Sequence, residues 1–452
     1  MLQMSTTTRP DTSPAALSAG DIEHLRTQFD ATPTHRIMQN ALTNAALTDI
    51  ALDREIVTRT DTSMSQRLDD WKVTDQKKSG RCWLFAGLNL VRVGAARRMG
   101  LKDFEFSQNH LMFWDKLERC NYFIDSVVRL RDRPSDDRTL GFVLDEVMGD
   151  GGQWNMFVAL VQKHGVVPKS AMPETRSSCE TSPMNDVLRT LMRKAARDLR
   201  SAEEKDVQGI RDYVMADAYR VLAMHLGTPP ESFQWQWTDT DKQFHRDGEL
   251  TPQEFRDAYI EQDLADYVCL VDDPRESSPR GATFTVEELG NVVGATPVLY
   301  LNVEPELLKS IAAASIRDGE PVWFGCDVSK MMSRNLGIWD ARLFDYDAVY
   351  NTSLEMDKAS RLEFHDTLMT HAMLLTGVDM DGDTPRKWRV ENSWGDSKAD
   401  QGFYTMNDSW FAPYVFEIAA HKDRLPADLR EALCTEPIVL PAWDPMGALA
   451  DG

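Results

Sequence analysis

Asp75-Gln76-Lys77-Lys78-Ser79-Gly80-Arg81-Cys82-Trp83-Leu84-Phe85-Ala86 is the stretch on which the reading of this chain turns. It is polar up to Gly80, and then Leu84, Phe85, Leu88, Val91 and Ala95 recur at helical spacing. Arg97, Arg98 and Gly100 close that run as a helix end does. Cys82 is therefore expected at the N-terminus of a buried helix of about four or five turns. A helix N-terminus favours negative charge, and the thiolate is the nucleophilic form of cysteine. The alternative is a buried structural thiol, because free cysteine is among the most buried residue types. Gln76, six residues before Cys82 (82 − 76), can bring a side-chain amide to an oxyanion beside the backbone N–H of Cys82.

The surrounding composition bounds what such a thiol can serve. The chain has 452 residues, with 50 basic and 72 acidic side chains and a net charge of −22. That length suggests two or three folding units, or one domain with large insertions. The acidic surplus argues against a nucleic-acid partner, since phosphate binding needs clustered Lys and Arg. Six cysteines, none spaced as C-x-x-C, are too sparse for a disulfide scaffold and fit no zinc ribbon. No apolar run reaches the roughly 18 residues that span a bilayer, so no membrane partner is expected. Met1 to Gly20 lacks an apolar core of the secretory type, so a mobile leader and a reducing, cytoplasmic compartment are expected.

Downstream, Phe157 to His164 reads as a short helix stopped by Gly165, and 184–228 as helix up to Pro229-Pro230. The acidic run 251–280 reads as a solvated helical face. Thr285-x-x-Glu288 has the form of a capping box and predicts a further helix. Another is predicted from Pro305 to Gly319. The periodicity then changes. Val322–Val328, Ala372–Val378, Lys387–Glu391 and Gly402–Met406 read as strands, so the last third is β-rich and the first two-thirds mostly helical.

A thiol nucleophile needs a base. Of nine histidines, His371 opens the run Ala372-Met373-Leu374-Leu375 and stands at the mouth of a sheet. Twenty-one residues on (392 − 371), Asn392 lies in Val390-Glu391-Asn392-Ser393-Trp394-Gly395. Its oxygen can accept the second imidazole N–H and hold the ring, and Trp394 can shield that bond from water. Nucleophile, base and orienter are then all present.

These strings resemble papain-like cysteine peptidases, whose signature C-G-[SA]-C-[WY] is approximated by Ser79-Gly80-Arg81-Cys82-Trp83. Arg81 replaces the small residue, and Ser79 replaces the first Cys. His371 lies 289 residues after Cys82 (371 − 82), against roughly 130–150 in papain-type enzymes, an excess of about 140–160. Within that class the chain resembles the bleomycin hydrolase and bacterial aminopeptidase C family. The likeness rests on the Cys82 stretch, Asp150-Gly151-Gly152-Gln153-Trp154, Gly165-Val166-Val167-Pro168-Lys169, Trp323-Phe324-Gly325-Cys326-Asp327-Val328, Met369-Thr370-His371-Ala372-Met373, and the tail from Leu440 to Ala450.

The resemblance implies an α+β, papain-like two-lobed fold, a helical lobe plus a β-barrel lobe, with helical and hook insertions. It implies a mobile leader over 1–20, a helical lobe with Cys82 over 21–180 and an insertion over 181–310. A β-rich lobe with His371 and Asn392 over 311–430 and a C-terminal arm in the cleft over 431–452 complete the division. It implies a thiol aminopeptidase with no cofactor, acting on peptides and amide analogues such as bleomycin, and assembled as a homohexamer. Cys82, His371, Asn392 and Gln76 are the catalytic candidates. Gly151, Gly152, Trp394 and Ala450 are the substrate-binding ones, with the terminal carboxylate pairing the substrate's α-amino group. Family tails end one residue after the Gly-Ala-Leu-Ala string, whereas this one continues with Asp451 and Gly452. Asp379-x-Asp381-x-Asp383 begins like a calcium loop, but Thr384 and Val390 stand where Gly and Glu are needed, so it reads as a hairpin turn and no metal is expected. A Cys-His acyl transferase and a non-catalytic assembly are the rival readings.

Overall fold

A computed structural model of the chain describes residues 16–68 and 71–449. Two compact units emerge. The smaller comprises the chain up to Glu55 together with Arg342–Glu355. Its helices Ala19–Asp30, Pro33–Leu42 and Leu47–Ala51 are short and separated by turns. The returning segment is tied on by Asp53 N–H to Leu343 O (2.9 Å) and Asp345 N–H to Ala51 O (2.8 Å).

The larger unit holds the papain-like α+β architecture. Its helical part is built on Cys82–Met99, Gln108–Leu130, Trp154–His164, Ser182–Ser201 and Glu204–Leu226. Cys82–Met99 is buried along nearly its whole length and ends on Gly100 in the left-handed conformation (φ 63°).

The β part is one hydrogen-bonded sheet of twelve strands. At its centre Val322–Cys326 lies between Val415–His421 and His371–Asp381, and Thr384–Glu391 follows on the far side of the latter. All five residues of Val322–Cys326 are buried, because each face of the strand meets a core. Trp323, Ala372 and Leu374 enter the core shared with the helices, while Phe324, Met373 and Leu375 enter a second core beneath Pro305–Arg317. That is the alternation of a pleated strand read on both faces.

Two expectations fail, each for a physical reason. Thr285 does not cap a helix. Thr283–Val286 is a strand paired with Tyr300–Asn302, and Thr285 donates its hydroxyl to Val298 O (2.8 Å). Phe284 and Val286 are buried, so strand alternation outweighs the capping pattern. The acidic run 251–280 is helical only over Pro252–Tyr259, and Tyr267–Val271 is a largely buried strand. Glu254, Asp257, Glu261, Asp263 and Glu276 are exposed as expected, but Asp272 and Asp273 are buried, the first paired with Arg280 and Lys358 and the second with Arg275. The first two-thirds also carry a β-hairpin, Phe233–Thr238 with Phe244–Leu250. The Asp381 to Thr384 segment is the hairpin turn expected, with Gly382 at φ 60°.

Gly165 ends its helix at φ 66°, and a Cβ there would lie 2.3 Å from the backbone of Pro252. Neither the dihedral nor the space admits a side chain. Gly165→Ala is expected to lower the stability of the fold by at least about 1–3 kcal/mol. An unchanged denaturation midpoint for that variant would contradict the packing described here.

Candidate active site

Cys82 is the first residue of its helix, and Arg81 is the cap whose carbonyl accepts the Phe85 N–H (3.0 Å). The Arg81 side chain, the departure from the papain signature, is buried and paired with Glu174 (2.8 Å). Burial pushes the Glu174 carboxyl up, but the charge and hydrogen bonds of Arg81 outweigh it and hold the group below its ordinary range. Arg81 thus acts as a brace.

The Cys82 sulfur accepts a hydrogen bond from the backbone N–H of Ala372 (3.4 Å), which places the thiol against the residue that follows His371. His371 is fully buried at the start of its strand. Its Nε2 is 2.9 Å from Asn392 Oδ1. The same oxygen accepts the Ser393 N–H (2.7 Å), so it must be an acceptor. Nε2 therefore carries the ring proton in neutral His371, and Nδ1, which makes no hydrogen bond, is the basic nitrogen. Trp394 stacks on the imidazole with ring centroids 4.9 Å apart. Burial pushes His371 down to about 4, against the pull of the Asn392 bond.

Gln76 is buried and fixed from both ends. Its Nε2 donates to Ser79 O (2.5 Å), and Ser393 Oγ donates to its Oε1 (2.6 Å). Its backbone N–H also meets Ser393 O (2.8 Å), so the segment bearing the nucleophile and the segment bearing Asn392 are joined there.

The Gly149–Gly152 loop closes on Trp83, whose indole N–H donates to Asp150 O (2.7 Å). A Cβ on Gly152 would sit 2.5 Å from the Trp83 ring. The carboxylate of Asp150 takes Lys116 (2.6 Å), Asn185 (2.7 Å) and the Gly80 N–H (3.1 Å). Burial pushes that carboxyl up, but Lys116 and the donors hold it well below the usual range.

The arm approaches this loop. Ile438–Leu440 pairs parallel to Thr283–Val286, Arg275 clasps Asp444 (2.9 Å), and Gln153 Nε2 donates to Ala448 O (2.7 Å). A cavity of about 360 Å³ lies between the arm and the helices, with Gly149 and Gly151 on its wall. Ala450, the fourth substrate-binding candidate, lies outside the described residues, as do Asp451 and Gly452.

Three contributors escaped the sequence reading. Glu391, beside Asn392, is fully buried against Arg92 (2.7 Å), Asn89 (3.0 Å) and the Trp71 indole (2.6 Å), which ties the Asn392 strand to the Cys82 helix. Arg334 stacks on Trp394 at 4.2 Å. Glu417 is buried one strand over, opposite Gly325, which in turn pairs with Ala372. Only the position of Glu391 next to Asn392 offered any signal. The other cysteines are also thiols, and burial pushes Cys120 up to about 12 and Cys269 and Cys326 well up.

A papain-like cysteine-peptidase site is the class this fold and geometry define. The chain belongs to the Peptidase C1-like family, whose family model matches residues 16–447. It is 43% identical to aminopeptidase C of Listeria innocua over 84% of this chain and 86% of that protein. It is 40% identical to human bleomycin hydrolase over 97% of this chain and all of that one. The crystal structure of PepW from Lactobacillus rhamnosis matches with a TM-score of 0.95 at 40% identity, over 97% of this chain and all of that chain.

Burial alone pushes Glu417 up to about 8, against about 4.3 in an unfolded chain. The fold keeps a proton that the unfolded chain releases, so this group favours folding at acid pH. Its contribution is lost as pH rises toward about 8. Glu417→Gln removes that titration. The denaturation midpoint of the variant minus that of wild type is expected to rise between about pH 5 and about pH 8. A difference independent of pH would rule this out.

Proposed function

We propose that the protein is a cytosolic thiol aminopeptidase that removes N-terminal residues from peptides, and from amide analogues such as bleomycin, by a Cys-His-Asn mechanism. The observation that carries the reading is the convergence of Cys82, His371 and Asn392. A thiol at a helix N-terminus touches the backbone beside a buried imidazole whose far nitrogen is held by an amide oxygen. The relatives named aminopeptidase C and bleomycin hydrolase support the exopeptidase choice.

In this mechanism Cys82 passes its proton to Nδ1 of His371 and attacks the first peptide carbonyl. The oxyanion is met by the Cys82 N–H and by Gln76, whose amide Ser393 and Ser79 orient. His371 then protonates the leaving amine, and water with the same base releases the acid. Asn392 keeps Nε2 protonated, so the basic nitrogen always faces the thiol. Trp394 covers that bond.

Gly151 and Gly152 hold the substrate main chain, and segment 431–452 acts as the arm. Its end near Ala450 offers a carboxylate to the α-amino group, which fixes one register. The anchoring of the arm at Asp444 and Ala448 supports this. A homohexamer completes the proposal. Among the described residues no helix is long and apolar enough to cross a membrane.

An amino-acid arylamide and its N-acetylated twin test the reading. Only the free-amine substrate is expected to turn over, and Cys82→Ala is expected to lower kcat by about 10⁴-fold or more. Equal turnover of both substrates would replace the aminopeptidase with an endopeptidase. A fully active Cys82→Ala would remove the thiol mechanism.

A further inference from the structure

A second cavity, of about 490 Å³, shares Gly149 with the cavity beside the arm but has no arm residue on its wall. Gln76 and Trp394 form its inner wall, so it begins at the oxyanion and base side of the site. Its charge is opposite to that of the chain. Lys77, Lys78, Arg189 and Arg334 line it, against one acid, Asp150, which is already held by Lys116. Four cations converge here on a protein of net charge −22.

These cations are not equivalent. Lys77 pairs with Asp75 (2.5 Å), Lys78 reaches Glu180 (3.8 Å), and Arg189 pairs with Asp186. Among the described residues no carboxylate pairs with Arg334. Its guanidinium carbon lies over Trp394, 4.2 Å from the ring centroid, and Trp394 also contacts the His371 and Tyr404 rings. The guanidinium also meets the Tyr404 hydroxyl, and with five N–H groups it keeps donors for a planar, two-oxygen acceptor.

We infer that this cavity receives the leaving segment of the substrate and that Arg334 selects segments carrying a carboxylate just behind the scissile bond, dipeptides foremost. The inference rests on the aminopeptidase reading. If the amino end faces the arm, the leaving end runs the other way, past Gln76 and Trp394 into the cationic cavity. In a dipeptide the leaving residue is a free amino acid, so its carboxylate lies within one residue of the broken bond. A longer peptide places a neutral amide there.

The test compares kcat/KM for Leu-Ala, Leu-Ala-amide and Leu-Glu-amide. Wild type is expected to prefer Leu-Ala over Leu-Ala-amide by roughly fivefold, the scale of one partly exposed ion pair. The ratio should fall toward one in Arg334→Gln, survive in part in Arg334→Lys, and shrink in about 0.5 M salt, where screening is short-ranged. Taking a ratio within one enzyme cancels any general loss from disturbing Trp394. Fast cleavage of Leu-Glu-amide would mean that a side-chain carboxylate also serves, and slow cleavage that the chain terminus is required. A wild-type ratio of one, or a ratio unmoved by Arg334→Gln, overturns the inference. Leucine arylamide, whose leaving group is neutral, separates the two levels. Cys82-dependent turnover of it with a ratio of one sinks only the cavity assignment, whereas no Cys82-dependent turnover sinks both.

Discussion

Asp150 brings a negative charge into the interior of the helical part, and the donors around it come from several stretches of chain. Lys116 belongs to the long helix Gln108–Leu130, Asn185 to Ser182–Ser201, and Gly80 to the turn before Cys82. The carbonyl of the same residue takes the Trp83 indole. A carboxylate without those partners would cost several kcal/mol to bury, so the partners and the acid are obligatory to one another. The nucleophile's turn, the loop that borders both cavities and two helices are thereby fixed by one group. Glu391 does the same on the opposite side. Its carboxylate joins Arg92 and Asn89 of the Cys82 helix to the strand that delivers Asn392.

Between these two anchors the base is assembled from sheet register. His371 pairs with Cys326, and Leu374 pairs with Glu391. A one-residue slip in either ladder would turn His371 or Asn392 to the wrong face. Two cores, one on each side of the central strand, make such a slip expensive. The wide sequence separation of Cys82, His371 and Asn392 is therefore no obstacle to their geometry. The long stretch between Cys82 and His371 supplies six strands of the same sheet, among them the one to which the arm is paired.

Much of this was legible in the sequence, and what was not has a common cause. The helix from Cys82 could be read because its apolar spacing, its start and Gly100 all agree. The His371 strand was readable because Ala372 to Leu375 is an unbroken apolar run, and the strand before Asn392 because Trp388 and Val390 alternate with charged residues. The helical reading of 285–288 failed because Thr-x-x-Glu is a local pattern, and Phe284 and Val286 belong to a sheet whose other strands lie far along the chain. The acids at Asp272 and Asp273 were read as solvated because their partners, Arg280, Lys358 and Arg275, are chosen by the fold. Arg334 was unreadable for the same reason. Nothing in its neighbourhood of sequence points to Trp394, sixty residues on (394 − 334).

The burial of His371 sets the terms on which the site can hold charge. Taken alone, the ring resists protonation, since desolvation outweighs the Asn392 bond and the positive field of Arg334 works in the same direction. An imidazolium there is favoured only when a negative charge is formed beside it, and in the proposed mechanism the proton that makes it comes from the thiol that becomes that charge. The two ionisations are then one event belonging to the pair. The neutral pair carries no buried charge, and the ionised pair is a dipole whose negative end sits at a helix N-terminus. Arg334 opposes a lone imidazolium, yet it faces a cavity where it can itself be neutralised. A carboxylate docked against its guanidinium would weaken that opposing field when the substrate is in place. Under the proposed assignment, occupancy of the leaving-group cavity and ionisation of the Cys82–His371 pair would favour one another through the indole of Trp394.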